Sequence, residues 1–163
     1  MPNLSANAAE LRQEIEMSFA DVQYPGDEKL VSDNTGYHLE CNQIKAAFKG
    51  RHWKEIPLEL LRYHSEALFF FTPEAYRFYL PAYLIAGSLH YPDADRIPDS
   101  IVFSLLPPSD PQSIKIYGEI AETRLKCLTQ AQRKAVKSFL QFVKQQHPED
   151  EALGDVDKAL ASL

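Results

Sequence analysis

The sequence predicts an all-α fold, and three observations carry it. Apolar residues recur at i, i+4 and i+7 in one segment after another. Two segments open on complete N-terminal caps, Thr72-Pro73-Glu74 and Thr129-Gln130-Ala131-Gln132. The stretch after the first cap is densely aromatic and reads as a core helix. The prediction is a compact single domain over residues 1–163, with about six to seven helices around a central proline-kinked helix at 72–90.

The first helix is expected over 8–20, with Asn7 as cap and Leu11, Ile15 and Phe19 as its apolar edge. Residues 23–36 form a long loop rich in turn chemistry, Pro25-Gly26 and Asn34-Thr35-Gly36. Leu30 and Val31 are expected to pin its middle to the core. A second helix spans about 37–48, where Tyr37, Cys41, Ile44 and Phe48 share one face. Gly50 stops it, and Lys49 to Lys54 form a basic segment around Trp53. Pro57 starts a third helix that turns Leu58, Leu60, Leu61 and Tyr63 to the core.

In the central helix Thr72 is the cap, Pro73 takes the first position and Glu74 complements the positive end of the dipole. Tyr76, Tyr79 and Tyr83 share one face. Glu74, Arg77, Pro81 and Ser88 form the narrow opposite stripe. Pro81 removes a helical hydrogen bond and is expected to kink the helix. Ser100 to Leu106 reads as a short helix begun at Asp99, and residues 113–127 are ambiguous between weak alternation and helical spacing. The Thr129–Gln132 capping box then opens a helix with a seam of Val136, Phe139, Leu140 and Val143, ended by His147-Pro148. The acidic C-terminal segment, 149–163, is expected to form a small last helix through Val156, Leu160 and Leu163.

Net charge is −6, and it is unevenly distributed. Segments 41–62 and 111–146 carry +3 and +5, against −6, −4 and −4 in 1–40, 63–110 and 147–163. An overall acidic balance argues against nucleic acid as a partner. No run approaches the length of a membrane span, and the N-terminus lacks a signal pattern. Cys41 and Cys127, far apart and in helical patterns, imply a reducing cytoplasm rather than a disulfide or zinc framework.

The chain contains no H-E-x-x-H, G-x-S-x-G or phosphate-cradling glycine loop, and His38-x-Glu40 lacks the cysteine pair of a zinc deaminase. Spacing therefore assigns no catalytic residue, cofactor or metal ligand. Five polar or aromatic positions remain as candidates: Trp53, Tyr63, Glu74, Arg77 and Tyr79. The tyrosine face reads as core; the competing reading is a phenol-lined pocket with Arg77 at its rim. Trp53 reads as a plug between the second and third helices. Arg77 is expected to hold the 27–33 loop or the Trp53 segment on the central helix.

Asp21 to Asp27, Gly50-Arg51-His52-Trp53, Leu60 to His64 and above all Thr72-Pro73-Glu74-Ala75-Tyr76-Arg77-Phe78-Tyr79-Leu80-Pro81-Ala82-Tyr83 resemble an uncharacterised bacterial domain family. Leu128 to Gln132 fits the second hallmark of that family, a T-x-x-Q helix start. The resemblance covers about 10–146 and implies a stand-alone bacterial domain, with no site residues to carry over. The function expected is a small cytoplasmic accessory or protein-interaction module, of an immunity-like kind, without catalytic activity. The alternative is an enzyme or small-ligand binder with a pocket near Trp53, Tyr63, Glu74 and Arg77.

Overall fold

The computed structural model describes residues 4–146 and 153–163. The eight α-helices among them are α1 (Leu4–Ser18), α2 (Leu39–Phe48), α3 (Leu58–Tyr63), α4 (Pro73–Leu89), α5 (Ile97–Leu105), α6 (Pro111–Cys127), α7 (Gln130–Gln146) and α8 (Leu153–Ser162). Short 3-10 turns stand at Asp27–Lys29, Trp53–Glu55, Ser65–Phe69 and Tyr91–Asp93. The all-α expectation holds, but the helix count exceeds six to seven. The difference is that the ambiguous 113–127 stretch is one full helix, capped by Asp110, whose carboxylate accepts from the Ser113 N–H at 2.9 Å.

The core is organised by α4. It packs against α1, α3, α5, α6 and α7, so it is covered nearly all round. That explains why its sequence is apolar on all but the narrow stripe of Glu74, Arg77 and Ser88. Its start is as expected: Thr72 Oγ1 accepts from the Ala75 N–H at 3.1 Å, and Pro73 follows. The helix continues through Pro81, which is itself buried.

Gly87 marks the closest approach in this core. A Cβ there would stand 3.1 Å from two ring carbons of Phe139 on α7. Phe139 is fully buried, so the ring would have to shift within packed core to admit that Cβ. Alanine at this position would gain up to about 1 kcal/mol of helix propensity, but overpacking costs about 1–3 kcal/mol. Gly87→Ala is therefore expected to lower stability by about 1 kcal/mol, and urea denaturation checks it. A more stable variant would mean that Phe139 can yield.

The long loop is held by main chain and by two lysines, Lys45 of α2 on Glu28 at 3.2 Å and Lys49 just beyond that helix on Asp27 at 3.9 Å, not by Arg77. Val31 pairs with Phe71 in an antiparallel bridge, with Ser32 N–H to Phe70 C=O at 2.8 Å and Thr72 N–H to Leu30 C=O at 3.1 Å. Leu30 and Val31 are buried, as expected. Thr72 also donates its hydroxyl to the Lys29 carbonyl. At the loop's other end, the Gly50 N–H donates to Tyr24 Oη at 2.9 Å.

Several boundaries differ from the sequence reading. Helix α1 starts at Leu4, so Asn7 lies inside it. Helix α5 starts at Ile97 with Pro98 in its first turn, not at Asp99. Helix α2 begins at Leu39 because His38 is its cap, Nδ1 accepting from the Cys41 N–H at 3.2 Å. Tyr37 therefore stands outside the helix and is 95% exposed. Tyr63, expected to face the core, ends the six-residue α3 and is 79% exposed. The expected stop at His147-Pro148 and residues 149–152 of the acidic segment lie outside the described residues; from Leu153 that segment is helical, with Val156 buried.

Candidate functional site

The tyrosine face is filled core. Tyr76, Tyr79 and Tyr83 have no exposed surface. Each hydroxyl is spent on fixing a neighbouring element. Tyr79 Oη reaches two carbonyls where α2 ends, that of its last residue Phe48 at 2.8 Å and that of Arg51 just beyond at 2.9 Å. Tyr83 donates to the His64 carbonyl at 2.7 Å, and Tyr76 pairs with Ser104 Oγ of α5 at 2.8 Å. Rings of Phe48, Phe71 and Phe78 surround Tyr79 at centroid distances of 5.0, 5.2 and 4.9 Å. Burial pushes all three phenols above their ordinary range, so they stay neutral hydrogen-bonding groups.

The other four candidates do not converge. Trp53 is buried, its turn packs against α4, and it lines a groove of about 170 Å³. The groove has an apolar floor of Leu61, Ala82 and Ala86, and Arg12, Glu16 and His90 stand around it. Lys54 Nζ lies 5.4 Å from the indole centroid, and the Lys54 N–H donates to His52 Nδ1 at 3.1 Å. The lysine stem and the His52 cap thus position the ring edge.

Arg77 corrects the expectation placed on it. Its Nε donates to Gln132 Oε1 at 3.1 Å, at the start of α7. It touches neither the 27–33 loop nor the Trp53 segment, because backbone pairing and Thr72 already hold that loop. Gln132 is 2% exposed and joins three elements. Its Oε1 also accepts from the Thr129 N–H at 3.0 Å, and its Nε2 donates to the Ser18 carbonyl of α1 at 3.2 Å. Glu74 is exposed on the first turn of α4. Burial is the main reason the Cys127 thiol is pushed up, with Glu74 adding to the shift and Arg77 opposing it.

Tyr63 borders a separate cleft of about 320 Å³ between α2 and the α3–Ser65 junction. Glu40, Arg62, Glu66 and Arg96 alternate sign around it. Arg96 pairs loosely with Glu66 at 3.7 Å. His64 faces the cleft with its pKa pulled down by burial, and Tyr63 meets its ring edge-on at 4.8 Å. Phe70 lines the same cleft and carries the His38 ring at 5.5 Å. Next to His38 in the chain stand Tyr37 and Leu39, the latter 71% exposed.

This exposed group was missed in the sequence because Tyr37 fits the periodicity of α2. The available signal was His38, a side chain able to cap, directly before Leu39. Gln132 was legible as a cap but not as a junction. Arg124, 6% exposed on α6, was not singled out at all.

Among the described residues, no group of three or more His, Cys, Asp or Glu side chains could hold a metal ion. No helix there is long and apolar enough to cross a membrane. Comparison with curated proteins and with solved structures finds no match in either. A family model does match, over residues 7–162, nearly the whole length that the central T-P-E-x-x-R-F-Y-L-P-A-Y helix organises. The chain belongs to that family, a family of unknown function designated DUF6714.

Proposed function

We propose that this protein is a small cytoplasmic accessory module of an immunity-like kind, which docks another protein at the Tyr63 cleft and performs no chemistry itself. The observation that carries this reading is Tyr63, 79% exposed on a cleft with charges of both signs, with the exposed Tyr37 and Leu39 flanking His38, whose ring meets Phe70 of that cleft. Tyrosines are enriched at interfaces because they bury large area at low conformational cost. The alternating Glu40, Arg62, Glu66 and Arg96 suit a partner segment that itself carries both charges.

The test compares the parent with Tyr37→Ala/Tyr63→Ala. Both side chains are exposed, so the melting temperature is expected to stay within about 2 °C. A protein recovered with the parent from its native host, and bound again as a purified component, should lose at least about tenfold in affinity for the double variant. A purified partner that binds both forms equally, or no recovered partner, counts against the proposal.

The groove beside Trp53 favours a second reading, a small-ligand site. Trp53 is the only tryptophan, so its emission reports occupancy of that groove directly. Emission unchanged across a metabolite library would remove this reading.

A further inference from the structure

Helix α6 carries an apolar stripe that the molecule covers only in part, with Ile114 exposed and Leu125 resting partly on the core. Its core-facing side is fixed by Arg124, 6% exposed, with Leu128 buried just beyond the helix end. Beside that side runs Ile114, Gly118, Ala121 and Leu125, spaced four, three and four residues apart. This is the spacing of a coiled-coil seam, alternating d and a positions. Ile114 is 51% exposed. The stripe forms one wall of a groove of about 580 Å³, with Pro107, Pro108 and Ser162 on the other sides.

Packing within the molecule does not call for glycine at 118. A Cβ there would meet only Ile114 Cγ2 at 3.5 Å, an ordinary contact. Glycine inside a helix is disfavoured against alanine, so its presence points to something approaching from outside. The stripe is also self-complementary under a twofold axis. Laid antiparallel on itself, it sets large against large, Ile114 against Leu125 of a second copy. It sets small against small, Gly118 against Ala121, where the two backbones would cross most closely. The flank of the seam then brings Lys115 of each copy beside Glu122 of the other. A foreign helix would have no reason to repeat this pattern of size and charge.

We infer that α6 is a self-association surface, on which a second copy of this chain docks antiparallel through Ile114, Gly118, Ala121 and Leu125, locked by two Lys115–Glu122 pairs. Glu122 is paired with Lys126 at 2.9 Å in the single chain, but both side chains are well exposed, 65% and 70%. Such a pair is weak and exchanges readily. The contact is isologous, so it closes at two copies rather than growing into a filament. It uses no residue of the Tyr63 cleft.

Sedimentation of the full chain from micromolar to millimolar concentration tests this. The parent should show a reversible monomer–dimer equilibrium. Lys115→Glu sets two pairs of like charges together and should weaken the dimer roughly tenfold or more. Lys115→Glu with Glu122→Lys reverses both partners and should restore it. Ala121→Glu, which puts a carboxylate at the crossing point, should leave only monomer. Lys115 and Glu122 are exposed, so circular dichroism melting of the first two variants should match the parent. A parent that is monomeric throughout overturns the inference. So does a dimer indifferent to Lys115→Glu, or one that the reciprocal exchange does not restore.

Discussion

Gln132→Ala is expected to lower stability by about 3 kcal/mol, out of a total of about 5–15 kcal/mol for a domain of this kind. The side chain is 2% exposed, so water does not replace what it loses. Three groups would be left without their partner: Arg77 Nε, the Thr129 N–H and the Ser18 carbonyl. They belong to α4, the start of α7 and the end of α1, so the loss loosens a three-way junction. At this chain length the melting temperature should fall by roughly 6–12 °C. Gln132→Glu separates the contributions. A carboxylate still accepts from Arg77 and Thr129, with Arg77 now an ion pair, but it faces the Ser18 carbonyl with no donor. Its loss should be smaller, about 1 kcal/mol. A melting temperature for Gln132→Ala within 2 °C of the parent would show that the junction is held by apolar packing alone.

That junction also shows where sequence reasoning stops. The capping box was legible, since cap and N3 residue are local: Gln132 N–H donates to Thr129 Oγ1 at 3.2 Å and the side chain answers. The bonds to Ser18 and Arg77 depend on how three helices meet, which no local pattern encodes. The same division runs through the fold. Helix α4 was legible from its cap and its apolarity on all but one narrow stripe, and Leu30-Val31 from being apolar within a polar loop. Tyr37 was misread because periodicity cannot distinguish the last residue before a cap from the first on a helical face. Helix α6 was ambiguous because one side packs on α4 and a second apolar stripe beside it is only partly covered, which blurs a single-face period.

The candidate site divides in the same way. The burial of Trp53 was legible, because a lone large apolar ring beside short helices has few other places to go, but its packing against α4 was not. That Tyr63, Glu74 and Arg77 lie apart from it was not legible. Sequence distance and helical faces place them near one another, while the orientation of α3 and the position of α7 separate them. Tyr37, Leu39 and Tyr63 are exposed for the same reason. The fold finds enough apolar surface in α4 and α7 to close its core without them.

Arg124→Ala is expected to lower stability by about 3 kcal/mol, and Arg124→Met to recover most of that loss. Arg124 is a buried guanidinium with no ion-pair partner among the described residues. Its Nη2 donates to the Phe69 carbonyl at 2.7 Å, and its carbon centre lies 5.5 Å from the Tyr76 ring centroid. Its Nε has no hydrogen-bond partner among the described residues. Burial pulls its pKa down, with Tyr76 opposing the shift, yet a guanidinium stays charged at neutral pH. A charge-assisted bond contributes about 1.5–3 kcal/mol and a desolvated cation–π contact about 2 kcal/mol. Removing a charge from water costs several kcal/mol, so the polar contributions roughly cancel. What remains is volume: the aliphatic stem and planar head fill the space between α6, Phe69 and Tyr76. Alanine leaves that space empty, whereas methionine fills it, losing the Phe69 bond and the cation–π contact but also the cost of burying the charge. Thermal denaturation of the two variants decides between bulk and charge. If methionine falls as far as alanine, the bond to the Phe69 carbonyl, not packing, is what docks α6. If both melt with the parent, α6 is held elsewhere along its length.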